Sequence, residues 1–364
     1  MSQDELLLRP AGGLITSANP VNRGGIRVAK DAASIPRLGL YLQDMHVRDM
    51  VKYSKFAEAH GFESVWIAES RLARDAIVPV TAIATDTTRI KVGAGVINTW
   101  TRNAALIAQT FATIDELSSG RVILGLGAWW DPLAKKVGID RKKPLQCMRE
   151  YVEVIRRLFK AEEVTFQGEF VKMDGVRLDT LHGTGARPRK VPIYVGGTGF
   201  QMLELAGEIA DGVLLNYLVS PKYNEKAWES IKRGAEKAHR SPKGIDSPQL
   251  VACSMDEDAD KAVKLAKSHV TMTIGQQPHI AKASGVSEDL IREVQERMGG
   301  WPAKPGGIEE AAEIVPDDVV QLITASGTPA DCEKKIREYM AAGCSSPLLL
   351  LLSHNIEYAV KSLA

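Results

Sequence analysis

Cysteine is scarce in this chain, and no two cysteines are closely spaced. The 364 residues include four cysteines, none in a CxxC pair, and seven histidines, none in an HExxH motif. These absences argue against a zinc site or a redox dithiol. We therefore expect buried or free thiols and no bound metal.

Long apolar runs and an excess of one charge are also missing. The longest apolar run, residues 347–352, is far shorter than the roughly 20 residues of a membrane span. The N-terminus lacks the basic segment and apolar core of a secretory signal. The formal net charge is +1, with no stripe of Lys and Arg among aromatic residues, which argues against a nucleic-acid partner. We expect a cytoplasmic globular protein without membrane contact.

The chain does contain a repeated alternation of apolar strands and amphipathic helices. Its clearest unit is residues 90–131, where a β-branched run (90–96) is followed by helically spaced apolar residues (103–117) and a second apolar run (121–126). So short a return between two strands predicts a parallel crossover unit. Ligands bind at the carboxyl ends of such strands, so the loops after residues 96 and 126 are candidate site loops.

Eight such strands are predicted, each followed by at least one helix. They span residues 37–42, 64–68, 90–96, 121–126, 191–195, 212–216, 250–254 and 348–352. This pattern is typical of a (β/α)8 TIM barrel. An open doubly wound sheet is the alternative, because alternation alone does not establish closure.

We interpret residues 1–35, rich in Pro and Gly and without periodicity, as an N-terminal extension. Residues 36–364 then form one barrel domain with insertions at about 160–190 and 270–325. In the first insertion, alternation over residues 163–178 indicates an antiparallel hairpin. In the second, Pro and Gly break short helical pieces.

Two glycine-containing loops are candidate ligand sites. Gly196, Gly197, Thr198 and Gly199 follow a strand and open a helix, so their N–H groups could bind an anion. A tight strand-to-helix turn would have the same sequence. The strand at 90–96 contains glycines that indicate either a close ligand contact or a barrel corner. Asn98, just beyond it, offers groups suited to a heterocycle edge.

Carboxylates and tryptophans also follow strand ends. Glu69 could handle a proton or bind a cofactor hydroxyl, or it could simply pair with Arg71 or Arg74. Asp131 is either a catalytic group or a helix cap. Trp129 and Trp130 could line a flat ring or cover the edge of the core.

Three segments together resemble the luciferase-like superfamily of FMN or F420 enzymes, and most nearly its F420-dependent methylenetetrahydromethanopterin reductases. The segments are HGFESVWIAES (60–70), RIKVGAGVINTWTRNAALIAQTFATIDELSSGRVILGLGAWWD (89–131) and VPIYVGGTGFQMLELAGEIADGVLLN (191–216). The resemblance extends from residue 37 to about 254, with weaker agreement to the end.

The resemblance implies a bacterial-luciferase-like barrel and hydride transfer between F420 and a small organic, pterin-type substrate. It implies a cis peptide bond between Gly95 and Val96 behind the middle of the cofactor ring, with the cofactor phosphate at Gly196 to Gly199. It also implies a homodimer or higher homo-oligomer. The resulting candidate cofactor-binding residues are Glu69, Ser70, Gly95, Val96, Asn98, Ala128, Trp129, Gly196, Gly197, Thr198 and Gly199, and the candidate catalytic residues are Glu69 and Asp131.

Two segments depart from the family pattern. Glu69-Ser70 replaces the Asp-His common in F420-dependent members, and Trp129 and Trp130 stand where a second glycine and an acidic residue are usual, with Asp131 one place later. Two alternatives therefore stand beside the F420 hypothesis. One is an FMN-dependent monooxygenase of the same fold. The other is a cofactor-free binding protein whose pocket is filled by Trp129 and Trp130.

Overall fold

Parallel strands alternate with helices through residues 35–69, 72–129, 131–178, 187–353 and 355–364, which are the residues that the computed structural model describes. The strands are β1 (Gly39–Tyr41), β2 (Ser64–Ile67), β3 (Lys91–Ala94), β4 (Ile97–Asn98), β5 (Val122–Gly127), β6 (Val164–Gln167), β7 (Lys172–Val176), β8 (Ile193–Gly196), β9 (Gly212–Leu214), β10 (Pro248–Met255), β11 (Ala325–Gly327) and β12 (Ser346–Leu351). Each of the eight predicted strands overlaps one of these. The predicted N-terminal extension lies outside the described residues, apart from its last residue, Ile35.

Helices follow the strands as the alternation predicts. They are α1 (Val47–Ala59), α2 (Ile77–Asp86), α3 (Ala104–Ser118), α4 (Asp131–Lys136), α5 (Pro144–Phe159), α6 (Phe200–Ile209), α7 (Pro221–Lys237), α8 (Ala259–Gln276), α9 (Pro278–Ala283), α10 (Glu288–Met298), α11 (Gly307–Ala312), α12 (Asp317–Ile323), α13 (Pro329–Ala341) and α14 (Ile356–Leu363), with a 3-10 turn at Pro242–Gly244. In the described ranges, no helix has the length and apolarity needed to cross a membrane.

The main sheet is parallel and curled. Its strand order is β11-β10-β12-β1-β2-β3-β5-β8-β9, and β4 continues the pairing of β3 with β5. The last strand in this order is β9. At β9, the N–H of Val213 donates to the carbonyl of Asp246 (2.8 Å), and just after it the N–H of Leu215 donates to the carbonyl of Pro248 (2.9 Å). The sheet therefore curls until β9 meets the chain that enters β10.

Strand side chains alternate between two hydrophobic clusters, as the pleat requires. Trp66 faces the inside of the curled sheet, whereas Val65 and Ile67 face the helices. The inner cluster consists of Tyr41, Trp66, Ile123, Tyr194, Leu214, Leu250, Leu348 and Leu350. Gly93 makes room for this cluster, because a Cβ there would lie 2.2 Å from Cε3 of Trp66. A close contact thus explains this strand glycine.

The described parts of the two predicted insertions contain regular structure. β6 and β7 form the predicted antiparallel hairpin. The second region differs from the prediction at its start, because α8 continues to Gln276 and does not end near residue 269. Helices α10 to α12 then pack with α8 around a hydrophobic cluster of their own. All four cysteines are buried free thiols, as predicted.

Candidate active site

A cavity of about 1110 Å³ opens at the carboxyl ends of the parallel strands. Tyr41 lines it at the end of β1, Glu69 after β2, Ala128 after β5, and Gly197 after β8. Gln277 lines it from the junction of α8 and α9. This is the edge of a parallel sheet where ligands bind, and the volume suffices for a cofactor together with a substrate.

A backbone bulge between β3 and β4 forms one wall of the cavity. The peptide bond between Gly95 and Val96 is cis, as the resemblance implied. The Gly95 N–H donates to the carbonyl of Ile67 (2.7 Å), and the Glu69 N–H donates to that of Val96 (3.0 Å). The end of β2 therefore holds the bulge from one side.

Two glycines on the neighbouring strands receive the Val96 side chain. A Cβ on Gly127 would lie 2.3 Å from Cγ2 of Val96, and one on Gly196 would lie 2.8 Å from Cγ1. Gly196 borders the cavity, but its missing side chain makes room for Val96. The part of the loop left to face an anion is Gly197 to Gly199.

The glycine loop leads directly into α6. Gly199 is the N-cap of this helix, and no side chain caps it. A Cβ on Gly199 would meet no atom within 4 Å. From below, the Tyr223 hydroxyl donates to the carbonyl of Thr198, and burial raises the pKa of this tyrosine to about 12. The loop is fixed from beneath, and its N–H groups are available to an anion.

Glu69 is held by partners within the protein. It forms an ion pair with Arg102, and its Oε2 accepts hydrogen bonds from the side chain (2.9 Å) and the N–H (3.2 Å) of Asn98. Arg102 also pairs with Asp75. Glu69 therefore has an arginine partner, Arg102. Of the two arginines predicted for this role, Arg71 lies outside the described residues, and no ion pair joins Arg74 to Glu69 within them. The Glu69 side chain is only 13% exposed and still borders the cavity.

Asn98 does not line the cavity, in contrast to the prediction that its amide faces a heterocycle. It is 5% exposed. Its Oδ1 accepts from the N–H groups of Trp100 and Thr101 (both 2.9 Å), and its Nδ2 donates to Glu69. An Asn at the end of a strand satisfies the N–H groups of the following turn in this way. Asn98 therefore supports Glu69 from behind.

The loop after β5 has a fixed backbone. Arg141 donates to the carbonyls of Ala128 (2.7 Å) and Trp129 (2.8 Å). Trp129 has a left-handed φ of 60° and borders the cavity without filling it. Asp131 begins α4, but its side chain, like Ser70 and Trp130, lies outside the described residues.

Sequence reasoning missed several cavity residues. The inward alternation of the 37–42 strand could have identified Tyr41. Arg141 lies in an irregular loop, and Gln277 lies beyond a helix whose end was misplaced. The sequence around Arg141 and around Gln277 contains no motif that indicates a ligand site.

The family model described as "Luciferase-like monooxygenase" matches residues 23–346. The 5,10-methylenetetrahydromethanopterin reductase of Archaeoglobus fulgidus is 36% identical over 83% of this chain and 89% of its own length. The same enzyme of Methanolobus tindarius is 35% identical over 82% and 88%.

A solved structure gives the same picture. It is the coenzyme F420-dependent tetrahydromethanopterin reductase of Methanopyrus kandleri. This structure superposes with a TM-score of 0.79 at 28% identity, covering 90% of this chain and 96% of that one. The similarity therefore extends over nearly the whole length of both chains.

Proposed function

The chain belongs to the luciferase-like monooxygenase family, and from that membership we propose that it is an oxidoreductase that transfers a hydride between coenzyme F420 and a pterin-type substrate. The observation that carries the proposal is a single cavity that joins the Val96 bulge to the uncapped glycine loop. Bound F420 would supply hydride at C5 of its ring.

The described residues fit such a cofactor. Gly197 to Gly199 and the first turn of α6 would bind its phosphate through N–H groups. The Val96 bulge would back the ring, with Ala128 and Trp129 beside it. Glu69 would keep the bulge in place through its own N–H and its bonds to Asn98 and Arg102. The catalytic roles of Glu69 and Asp131 remain predictions.

Closure into a (β/α)8 barrel is part of the same proposal. Support comes from the hydrogen bonds between β9 and the chain entering β10, and from the inner cluster drawn from strands all round the sheet. A homodimer remains a prediction from the resemblance. Exposed apolar side chains on α2 and α3, including Val78 and Leu106, offer a surface for it.

Substitution of Gly199 tests the phosphate site. In Gly199→Asp the added carboxylate is an N-cap that stabilises α6, but it repels a phosphate at the same N–H groups. Gly199→Asn adds a cap of the same shape without the charge. We expect the aspartate variant to lose at least tenfold in F420 affinity by fluorescence titration, with unchanged or higher thermal stability. The asparagine variant should bind F420 several-fold more tightly than the aspartate variant.

The cofactor itself is tested by titrating the purified protein with F420 and with FMN. F420 binding, and oxidation of its reduced form by 5,10-methylenetetrahydromethanopterin, are the expected results. Binding of FMN alone would identify a flavin enzyme, and binding of neither would favour the cofactor-free alternative. Either outcome contradicts the proposal.

A further inference from the structure

Tyr41 lies in the cavity wall, and its hydroxyl is a candidate contact for a bound substrate. The residue is 7% exposed and belongs to the inner cluster at the end of β1. Among the described residues, no hydrogen bond involves its hydroxyl. Tyr41 borders the cavity, and its oxygen is not among the fully enclosed polar atoms that have no partner, so the hydroxyl is open to a ligand in the cavity.

The surroundings of Tyr41 keep the phenol neutral. Burial raises its pKa well above the usual value, and the nearby Tyr217 adds to the shift. A neutral phenol is a hydrogen-bond donor at physiological pH. Such a donor stabilises an atom that gains electron density during a reaction.

The position of Tyr41 in the sheet places it far from the proposed phosphate site. β1 and β8 are separated by β2, β3 and β5 along one flank of the sheet and by β12, β10 and β9 along the other. The loop after β8 and the phenol after β1 therefore lie across the cavity from each other. The Val96 bulge follows β3, midway between them. A cofactor anchored at the loop and backed by the bulge would leave the β1 side for the substrate.

We propose that Tyr41 is a catalytic residue that donates its hydroxyl hydrogen to a nitrogen of a bound pterin-type substrate. This inference rests on the proposed function. Reduction of a methylene group that bridges two nitrogens forms one C–H bond with the incoming hydride and breaks one C–N bond. The electron pair of that C–N bond passes to the nitrogen, which takes the Tyr41 proton, and water returns a proton to the phenolate. The substrate is reduced by two electrons. The dihydro cofactor would be oxidised by two and would release one proton to water, which balances the proton that water returns to Tyr41.

Tyr41→Phe keeps the ring packing and removes only the hydroxyl. We expect kcat/KM with reduced F420 and 5,10-methylenetetrahydromethanopterin to fall by about 10²-fold to 10³-fold. F420 affinity should stay within twofold, and thermal stability should not fall, because the lost hydroxyl bonds no protein group. If the hydroxyl were only structural, its removal would lower thermal stability and leave kcat/KM unchanged.

Tyr339→Phe is the matched control. Tyr339 is also fully buried, but its hydroxyl donates to the Val219 carbonyl (2.7 Å) and it does not line the cavity. Its loss should lower thermal stability and leave kcat/KM within twofold. A Tyr41→Phe variant with wild-type kcat/KM overturns the catalytic assignment.

A second readout is independent of turnover. In protein labelled with ¹³C at tyrosine Cζ, the Tyr41 resonance is the one missing from Tyr41→Phe. We expect it to shift when tetrahydromethanopterin is added to the complex with oxidised F420. A resonance that does not move at this step, or that moves only with F420, overturns the proposal. Failure of F420 itself to bind would instead overturn the proposed function.

Discussion

At the scale of single residues, Glu69 shows how the site is built before any ligand arrives. Its carboxylate is engaged by Arg102 and Asn98, and its N–H holds the carbonyl of Val96. The same residue thus contributes to the bulge and to the cavity wall. These contacts account for a carboxylate directly after β2, independently of any role of Glu69 in proton transfer.

The variant Glu69→Gln tests whether Glu69 contributes to turnover in addition to stabilising the fold. Glutamine keeps the shape but loses the ion pair, so we expect a loss of about 1–3 kcal/mol in the free energy of unfolding. Turnover should fall more than tenfold if the carboxylate handles a proton or orients the cofactor. Steady-state kinetics and urea unfolding measure the two effects.

Asp75→Asn is the control for this variant. It removes the other carboxylate from Arg102, yet Asp75 does not line the cavity. Its turnover should stay near that of the wild type. Equal activity of Glu69→Gln and Asp75→Asn would remove Glu69 from the mechanism.

Residue types were easier to predict than residue contacts. The glycines of the 90–96 strand indicated a close contact, and Gly93 does make room for Trp66, but the sequence did not indicate that Gly127 and Gly196 admit Val96. Asn98 was expected to face a ligand, because the sequence does not distinguish a side-chain amide that is free to bind a ligand from one that is engaged in a turn. Which side of the wall such a group faces depends on tertiary contacts that lie far away in the chain.

At the scale of elements, one carboxylate organises the β6–β7 hairpin. Glu150 on α5 is 2% exposed and accepts hydrogen bonds from the N–H groups of Glu169 (3.0 Å), Phe170 (2.8 Å) and Val171 (2.9 Å). Burial alone would raise its pKa, but the hydrogen bonds from Gln146 and these N–H groups outweigh it, so the pKa lies below its usual value. The hairpin turn is therefore fastened to α5.

Glu150→Gln should weaken this attachment. The glutamine NH₂ group would face N–H donors, leaving at least one of them without an acceptor. We expect a loss of about 2 kcal/mol in the free energy of unfolding, measured by urea denaturation at neutral pH. Glu169→Gln changes an exposed carboxylate in the same turn and should cost less than about 1 kcal/mol. Equal losses in the two variants would contradict this account.

Local signals mark both ends of α13. Thr328 forms a capping box at its start, and Gly343 follows its end with a φ of 110°. The end of α8 was misplaced because the Pro and Gly residues from Pro278 onward led us to assign everything after residue 269 to the second insertion. Gly275 stays helical where a Cβ would lie 2.3 Å from Sδ of Met298, a tertiary contact that the local sequence does not reveal. The helix ends only just before Pro278.

At the scale of the whole molecule, a charged network joins strands at the end opposite the cavity. Asp246, before β10, accepts hydrogen bonds from Arg37 (2.9 Å), from Tyr194 of β8 (2.7 Å) and from Ser345 (2.5 Å). Burial alone would raise its pKa, but these partners outweigh it and hold the pKa at about 2. One carboxylate therefore links β1, β8, β10 and the start of β12.

This network predicts acid sensitivity. The folded pKa of Asp246 lies below its unfolded value near 4, so its stabilisation is present at neutral pH and is lost as the pH falls from about 4 through 2. Its full size is about 2 kcal/mol, from a shift of nearly two units at 1.36 kcal/mol each.

Urea unfolding at pH 6 and pH 3 measures the effect. The stability difference between wild type and Asp246→Asn should shrink by about 1 kcal/mol at the lower pH. Asp289→Asn, which changes a carboxylate that is 87% exposed, should show no such dependence. A difference for Asp246→Asn that stays constant with pH would contradict the assigned pKa.

Strand number was readable from the sequence, but strand arrangement was not. Eight apolar runs spaced by helices fit either a closed or an open sheet, and the preference for a barrel gained weight from the resemblance. In β2 and β12, Trp66 and Leu348 face the inside of the curled sheet, whereas their neighbours in sequence face the helices. Both faces of the sheet are therefore apolar. The pairing of β11 beside β10 has no counterpart in the alternation pattern.

The cavity walls come from separate stretches of the chain. The bulge and the glycine loop come from residues 68–129 and 196–199, whereas Gln277 comes from the junction of α8 and α9, beside the helices packed on α8. Substitutions around Gln277 can therefore reshape the cavity without changing the segments that we propose bind the cofactor. A lineage built on this plan is free to acquire new metabolic roles without changing its source of electrons.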